Sequence, residues 1–151
     1  MPDLLVRLYD LPPAQPASVR RAFSAERALI CDWVRENFSR AWAAECEGSF
    51  ANGRPTCFVA TTDDSLIGFA CYDTTARGMF GPMGVAETAR GRGIGRALLV
   101  ATLHDMAAAG YAYAVIGGAG ADVLRFYRDA VNATEIPGSE PGFYRGMLGD
   151  A

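Results

Sequence analysis

The sequence predicts a single α/β domain in which helices pack on a mixed β-sheet. The chain has 151 residues, of which half are hydrophobic and about a fifth are charged, a composition typical of a globular protein with a sizeable core. Strand-like and helix-like segments follow one another in the order β-α-α-β-β-β-α-β-α-β-β. Because no repeat or long linker interrupts this order, we treat residues 1–151 as one domain.

The N-terminal part of the chain is predicted to contain one strand and two helices. Partly alternating apolar residues indicate a strand over 4–9, which Pro12 and Pro13 end. After a loop rich in proline and alanine, Ser24 is a suitable N-cap for the first helix. The second helix carries large side chains at every fourth position, namely Phe38, Trp42, Cys46 and Phe50.

Three strands are predicted next, over residues 56–61, 66–73 and 79–85. Asp63 and Asp64 form the hairpin turn between the first two strands. The third strand is interrupted by Gly81-Pro82, and a proline cannot donate a hydrogen bond to a neighbouring strand. We therefore predict a bulge or a splay of the third strand at this point.

The C-terminal part is predicted to alternate between helices and strands. A helix runs from the turn over 90–96 to about Ala109, and Gly110 lies where a helix-ending glycine belongs. The remaining predicted elements are a strand over 111–116, a short helix that Asp122 can cap, and closing strands over 134–136 and 143–148.

Charge and composition exclude several functions. The net charge is −3 and the isoelectric point is about 5.1, which argues against a nucleic-acid partner because such proteins carry basic surfaces. All 14 basic residues are arginine, so Schiff-base chemistry on a lysine is excluded. We see neither an apolar run long enough to span a membrane nor a signal peptide, and we expect a cytoplasmic protein without a membrane partner.

The cysteines give no metal-binding pattern along the sequence. Cys31, Cys46, Cys57 and Cys71 form no C-x-x-C pair, and His104 is the single histidine. We therefore expect no metal site, and interpret the cysteines as small, scattered core residues of a reducing compartment.

The turn over 85–96 carries the clearest functional signal. Glycines alternate with other residues in Gly91-Arg92-Gly93-Ile94-Gly95, and a helix begins at once. The first amides of a helix have no internal acceptor and lie at its positive end, so this turn is suited to a phosphate or pyrophosphate. A P-loop would require a lysine, and the third glycine of a dinucleotide-binding fingerprint is replaced by Arg96.

The same segment resembles a signature of the GNAT N-acetyltransferase superfamily. Arg90-x-x-Gly93-x-Gly95 matches the acyl-CoA motif of that family. The strand before the motif, the long helix after it, the next strand and a short helix with Tyr127 all follow in the family's order. The whole chain therefore resembles a single-domain GNAT enzyme, and the resemblance is strongest over about 79–131.

The resemblance implies that acetyl-CoA is the co-substrate. It places the pyrophosphate on the amides of the turn and the pantetheine arm along the end of the interrupted strand. The implied cofactor-binding residues are Met83, Gly84, Val85, Arg90, Gly91, Arg92, Gly93, Ile94, Gly95, Arg96 and Phe126. The sequence departs from the family at Gly120, where many members have an asparagine that contacts pantetheine.

The resemblance also implies direct attack of an amine on the thioester, with Tyr127 as the acid that protonates the departing thiolate. A tyrosine of ordinary pKa stays protonated near neutral pH and can donate to a thiolate. The alternative is that Tyr127 only packs against the sheet.

The base and the acceptor pocket are left open by the sequence. Glu87 is a candidate base close to the turn, and the alternative is that it is a solvated loop acid or a partner of the helix start. Candidate pocket residues are Trp42, Glu45, Asp73 and Phe80, with Glu47, Phe50 and Tyr72 nearby. His104 lies far along the long helix, and we expect it to be a solvated helix residue.

The resulting hypothesis is an N-acetyltransferase that acetylates a primary amine of a small molecule. Two alternatives are kept, which are a non-catalytic acyl-CoA-binding regulator and a protein or peptide N-acetyltransferase. A homodimer is also left open.

Overall fold

The protein, described from a computed structural model over residues 1–15 and 18–149, has a mixed sheet flanked by helices. Within these residues the strands are Leu4–Arg7 (β1), Val19–Arg21 (β2), Cys57–Thr62 (β3), Ser65–Tyr72 (β4), Met79–Val85 (β5), Tyr113–Ile116 (β6) and Thr134–Glu135 (β7). The α-helices are Arg27–Asn37 (α1), Arg40–Gly48 (α2), Ile94–Ala108 (α3) and Ala121–Val131 (α4).

The strands lie in the order β2-β3-β4-β5-β6-β1-β7. Only the β5–β6 pair is parallel, and every other described neighbouring pair is antiparallel. The long α3 joins the two parallel strands, as a crossover between parallel strands requires. This arrangement confirms the predicted mixed α/β sheet.

Helices cover both faces of the sheet. Successive side chains along each strand point to opposite faces, so both faces carry apolar residues that the helices bury. Along β4, Phe69 and Cys71 face the core that contains α1 and α2, whereas Ala70 and Tyr72 face the core that contains α3 and α4. The sheet is therefore buried between two helical layers, and residues on its two faces have different neighbours.

Local signals fix several boundaries. The predicted hairpin turn is confirmed, since Asp63 and Asp64 adopt left-handed backbone angles, with φ of 49° and 62°. The hydroxyl oxygen of Ser39 accepts a hydrogen bond of 3.1 Å from the Trp42 amide and caps α2. Gly110, with φ of 107°, follows the end of α3 as predicted.

Two strand predictions were wrong. β2 lies in the segment predicted as a loop, of which Pro16 and Ala17 fall outside the described residues. It has only three residues at the sheet edge, too few for a visible alternation. The predicted strand over 143–148 is instead a series of turns, because the Phe143 amide bonds the Asp3 carboxylate and Gly146 has φ of 77°.

The first strand is also shorter than predicted. It ends at Arg7 and continues as a 3-10 turn over Leu8–Asp10. None of the described helices is both long and apolar enough to cross a membrane.

Candidate functional site

The centre of the candidate site is a gap between β5 and β6. These strands pair only at Met79 with Val115 and at Phe80 with Ile116. From Gly81 onward β5 has no described partner on its β6 side, although it still pairs with β4 through Met83, Gly84 and Val85. The strands therefore separate at Gly81, and the backbone of β5 beyond this point presents a free edge.

The separation has a visible cause in β5. Ala70 pairs with Met83 and Tyr72 with Phe80, so Gly81 and Pro82 together oppose the single residue Cys71. One extra residue on one strand defines a β-bulge, which bends that strand. The predicted bulge or splay is confirmed, and it lies at the predicted glycine and proline.

The turn after β5 holds open amide groups at the start of α3. Gly91 and Gly93 adopt left-handed backbone angles, with φ of 82° and 77°. Such angles strain other L-residues, and a Cβ at either glycine would have open space around it. The first helical bond runs from the Ala97 amide to the Gly93 carbonyl at 3.0 Å. The amides that precede Ala97 at this helix end are thus available to an anion.

The three arginines of the turn add positive charge. Arg90 and Arg92 are exposed, and Arg96 is half-buried. Their described hydrogen bonds go only to nearby carbonyls, from Arg90 Nε to the Val85 oxygen at 3.3 Å and from Arg92 to the Thr88 oxygen at 3.4 Å. Within residues 1–15 and 18–149, none of the three forms an ion pair with a carboxylate.

Tyr127 reaches the gap from α4. Its side chain is buried and packs edge-on against Phe80, with ring centroids 6.4 Å apart, and against Phe126 at 5.2 Å. Burial raises the pKa of Tyr127 to about 12. Phe126 also approaches the turn, because a Cβ on Gly95 would lie 3.8 Å from the Phe126 ring. The structure therefore brings Tyr127, Phe126 and the turn to the same gap.

A carboxylate lies on the α1–α2 side of the sheet. Glu45 accepts hydrogen bonds from the hydroxyls of Thr75 and Tyr144, the latter at 3.0 Å. Tyr144 also lies beside Gly117, the residue that follows the last paired residue of β6, since a Cβ there would be 3.1 Å from its ring. Burial raises the pKa of Tyr144. Glu45 has no cationic partner among the described residues.

No sequence pattern indicated that Tyr144 belongs to a site. It lies in the segment predicted as a closing strand, where alternate residues would have been assigned to the two sheet faces. The turns over this segment instead direct Tyr144 to Glu45, across 99 residues of sequence.

Comparison with known protein families identifies the family of this chain. Residues 20–130 match the model of the acetyltransferase (GNAT) family. The chain belongs to this family. No curated protein matches the sequence.

Solved GNAT structures share the fold of this GNAT chain. An N-acetyltransferase YhbS from Escherichia coli, solved with CoA, is 27% identical, with a TM-score of 0.59 over 78% of this chain and 69% of that one. A protein from Brucella melitensis, solved with acetyl-CoA, is 21% identical, with a TM-score of 0.57 over 72% of this chain and 79% of that one.

A GCN5-related N-acetyltransferase from Sphaerobacter thermophilus gives a higher TM-score of 0.68 at 20% identity, over 89% of this chain. The GNAT chain covers only 48% of that protein, and it spans about half or less of several others that it matches. The likeness to these larger proteins is a likeness of fold.

Other predicted pocket residues of the GNAT domain have structural partners. Asp73 accepts hydrogen bonds from the Gly78 amide at 2.8 Å and from the Tyr111 hydroxyl at 2.7 Å. The Tyr72 hydroxyl donates to Asp105 at 2.7 Å, and burial together with this bond raises its pKa. Both side chains are thus engaged in holding neighbouring elements together.

The two aromatic residues predicted for the acceptor pocket, Trp42 and Phe80, lie on opposite faces of the sheet. Trp42 is half-buried in a cluster with Phe38, Trp33 and Phe69, and its ring centroid is 5.2 Å from that of Phe38. Phe38 covers the α1–α2 face of Gly84, where a Cβ would lie 2.5 Å from the ring. Phe80 is buried on the other face beside Tyr127.

Glu87 and His104 are the remaining residues that the sequence analysis considered. Glu87 is exposed in the 3-10 turn Glu87–Ala89, so its assignment as base stays a prediction. His104 was expected to be solvated, but it is half-buried and its Nε2 lies 2.7 Å from the Pro12 carbonyl oxygen. This bond holds the ring against the segment after β1.

The four cysteines are not scattered in space. The sulfurs of Cys46, Cys57 and Cys71 all lie within 4.8 Å of one another, and Cys31 is buried in the same core. All four are free thiols. Spacing along the chain concealed this cluster, because its members come from α1, α2, β3 and β4.

Proposed function

We propose that this chain is an acetyl-CoA-dependent N-acetyltransferase that acetylates the primary amine of a small molecule. The single observation that carries the proposal is that two features suited to CoA follow one another along the chain. The free edge of β5 beyond Gly81 is followed by the turn with left-handed glycines and by the open amides at the start of α3. An extended arm that ends in a pyrophosphate, as in CoA, matches this sequence of features.

Each part of the co-substrate has a suitable partner. The amides at the start of α3 and the arginines beside them offer donors and positive charge to the pyrophosphate. The free edge of β5 offers backbone groups to the amides of the pantetheine arm, in the manner of an added strand. The thioester would then lie near Gly81, where β5 and β6 separate.

The reaction that we propose needs no covalent enzyme intermediate. The neutral amine attacks the thioester carbon, the carbon–sulfur bond breaks, and the amine nitrogen loses a proton to water. Tyr127 donates its hydroxyl proton to the departing thiolate, and the proton released by the amine returns to Tyr127 through solvent. Burial raises the pKa of Tyr127 to about 12, and the same dry surroundings would raise the pKa of the thiol, because both groups become anions on losing a proton.

We assign the acceptor side to Glu45. Its carboxylate is oriented by two hydroxyls and has no described cationic partner, which suits it to bind the ammonium group of an incoming amine. Proton removal from the bound ammonium, by Glu45 or through water, would give the nucleophile.

The C-terminal segment favours a small acceptor. Tyr144 joins this segment to Glu45 of α2 by a hydrogen bond of 3.0 Å, so the C-terminal segment contacts the helix that carries the proposed acceptor-binding carboxylate. A polypeptide that crosses between this segment and α2 would have to break that contact, whereas a small amine would not.

Incubation of the protein with acetyl-CoA and a panel of amines tests the proposal. We expect free CoA thiol to appear only with particular small amines, together with a product one acetyl group heavier by mass spectrometry. Acetylation of peptide N-termini or lysines alone would support the peptide alternative. CoA binding by calorimetry without turnover of any amine would support the regulatory alternative.

A further inference from the structure

We propose that Cys31, Cys46, Cys57 and Cys71, here called the thiol cluster, bind one Zn²⁺ ion as a structural site. These are all the cysteines of the chain. They come from four separate elements, yet all are buried in the core between the sheet and the α1–α2 pair. The sulfurs of Cys46, Cys57 and Cys71 lie within 4.8 Å of one another.

The sheet fixes two of the four ligands. Cys57 and Cys71 are register partners on β3 and β4, and the Tyr72 amide bonds the Thr56 carbonyl at 3.0 Å. This pattern makes Cys57 and Cys71 a non-hydrogen-bonded pair, in which the Cα atoms are only about 4.5 Å apart and side chains are closest. Both side chains belong to the core that contains Cys46, so α2 brings the third sulfur over the pair.

The sulfur separations are close to those of a metal site. A zinc–sulfur bond of about 2.3 Å places the sulfurs of a tetrahedral site about 3.8 Å apart. Because the three sulfurs already lie within 4.8 Å, each pair needs to approach by at most about 1 Å. A rotation of a cysteine side chain or a small shift of α2 provides such a movement.

We assign Cys31 as the fourth ligand. It lies on α1, is 5% exposed, and belongs to the same core cluster as the other three. Its sulfur is outside the group of three that lie within 4.8 Å of one another, so its coordination requires a larger movement, by rotation of its side chain or a shift of α1. Four protein ligands make a closed site, the arrangement typical of structural zinc. Such an ion would join α1 and α2 to β3 and β4, and so hold the helical layer that carries Glu45.

The surroundings favour Zn²⁺ over a monovalent ion. Thiolates select soft or borderline cations such as Zn²⁺ and Cu⁺. The core around the cluster is dry and includes Val34, Val59 and Phe69, so uncompensated thiolate charge is costly there. A divalent ion offsets more of that charge than a monovalent one.

Cobalt substitution of the full, reduced chain tests this site without an activity assay. We expect one Co²⁺ per chain with thiolate-to-cobalt charge-transfer absorption and the visible bands of tetrahedral cobalt, and we expect Zn²⁺ to displace it. Zn²⁺ should also raise the melting temperature, because a site in which the fold assembles four thiolates binds it more tightly than the unfolded chain does.

Two variants locate the ion. Cys57→Ala should weaken Co²⁺ binding by more than about 100-fold, beyond the range typical of residues outside the ligand set. Val59→Ala removes a buried side chain from the same face of β3 and should leave Co²⁺ binding unchanged. If Cys57→Ala does not fold, the spectrum of the wild-type protein still decides the question.

Absence of charge-transfer absorption in wild-type protein whose four thiols are shown to be reduced would overturn the proposal. So would equal Co²⁺ affinity in Cys57→Ala and the wild-type chain. The site does not rest on the proposed acetyl transfer, and neither result depends on turnover.

Discussion

The ring of Tyr127 packs edge-on against the ring of Phe80, with 6.4 Å between their centroids. Phe80 is the last residue of β5 that pairs with β6, so this contact places Tyr127 where the two strands separate. The Tyr127 hydroxyl has no hydrogen-bond partner among the described residues. None of their fully buried side-chain oxygens lacks a partner, so this hydroxyl retains some solvent exposure. The hydroxyl therefore remains available to a ligand in the gap.

Tyr127→Phe should lower kcat by about 100-fold, within the usual range for a positioned acid, with little change in the KM for acetyl-CoA. The substitution keeps the ring packing and removes only the hydroxyl. Steady-state kinetics measure both constants, and Tyr113→Phe, at an exposed position on β6, is the control. An unchanged kcat in Tyr127→Phe would leave the thiolate to be protonated by water.

The pH dependence follows from the same tyrosine. Burial raises its pKa to about 12, so the neutral donor form persists well above neutral pH. The wild-type kcat should show no loss due to Tyr127 between about pH 7 and pH 10. A fall in this range that disappears in Tyr127→Phe would contradict the raised pKa.

Gly93→Val should abolish CoA binding as measured by calorimetry. Gly93 has φ of 77° and open space above it, so a branched side chain would both strain the turn and occupy the proposed pyrophosphate position. Gly138→Val is a matched control, because Gly138 has φ of 78° and similar open space. Equal loss of binding in both variants would indicate strain alone.

Arg92→Ala should weaken CoA binding and reduce its dependence on salt, because Arg92 is exposed beside the open amides. Comparison of CoA with dephospho-CoA locates the contact. A larger loss for CoA places Arg92 at the 3′-phosphate, whereas equal losses place it elsewhere. Arg125→Ala removes an exposed arginine of α4 and should have little effect.

Glu45→Gln should lower kcat/KM for the amine by at least about 10-fold, the size expected for a lost hydrogen bond to a charged group. The KM for acetyl-CoA should stay the same. Glu47→Gln is the matched control on the same helix, since Glu47 is exposed and lies 3.9 Å from Arg27. If the two variants behave alike, Glu45 does not bind the acceptor.

Much of the fold could be predicted from local signals. The glycine and proline of β5, the paired aspartates of the hairpin and the glycine after α3 each restrict the backbone at their own position. The motif from Arg90 to Gly95 indicated both the glycine turn and the family, because its features lie in consecutive residues.

Tertiary structure decided what depends on distant residues. β2 has only three residues, too few to show the alternation of apolar and polar side chains that predicts a strand. Its pairing with β3 becomes evident only in the assembled sheet. The segment with Tyr144 has the composition of a strand, but the bond from the Phe143 amide to Asp3 holds it in turns.

The sequence by itself determined the class of sheet, through the order of its strands and helices. It also determined the position of the bulge in β5 and the glycine turn before α3, because adjacent residues produce both. Only the tertiary structure decided that Tyr144 orients Glu45 and that four cysteines meet in one core. These groups are separated by many residues along the chain. Their proximity depends on strand register and helix packing, which no local pattern records.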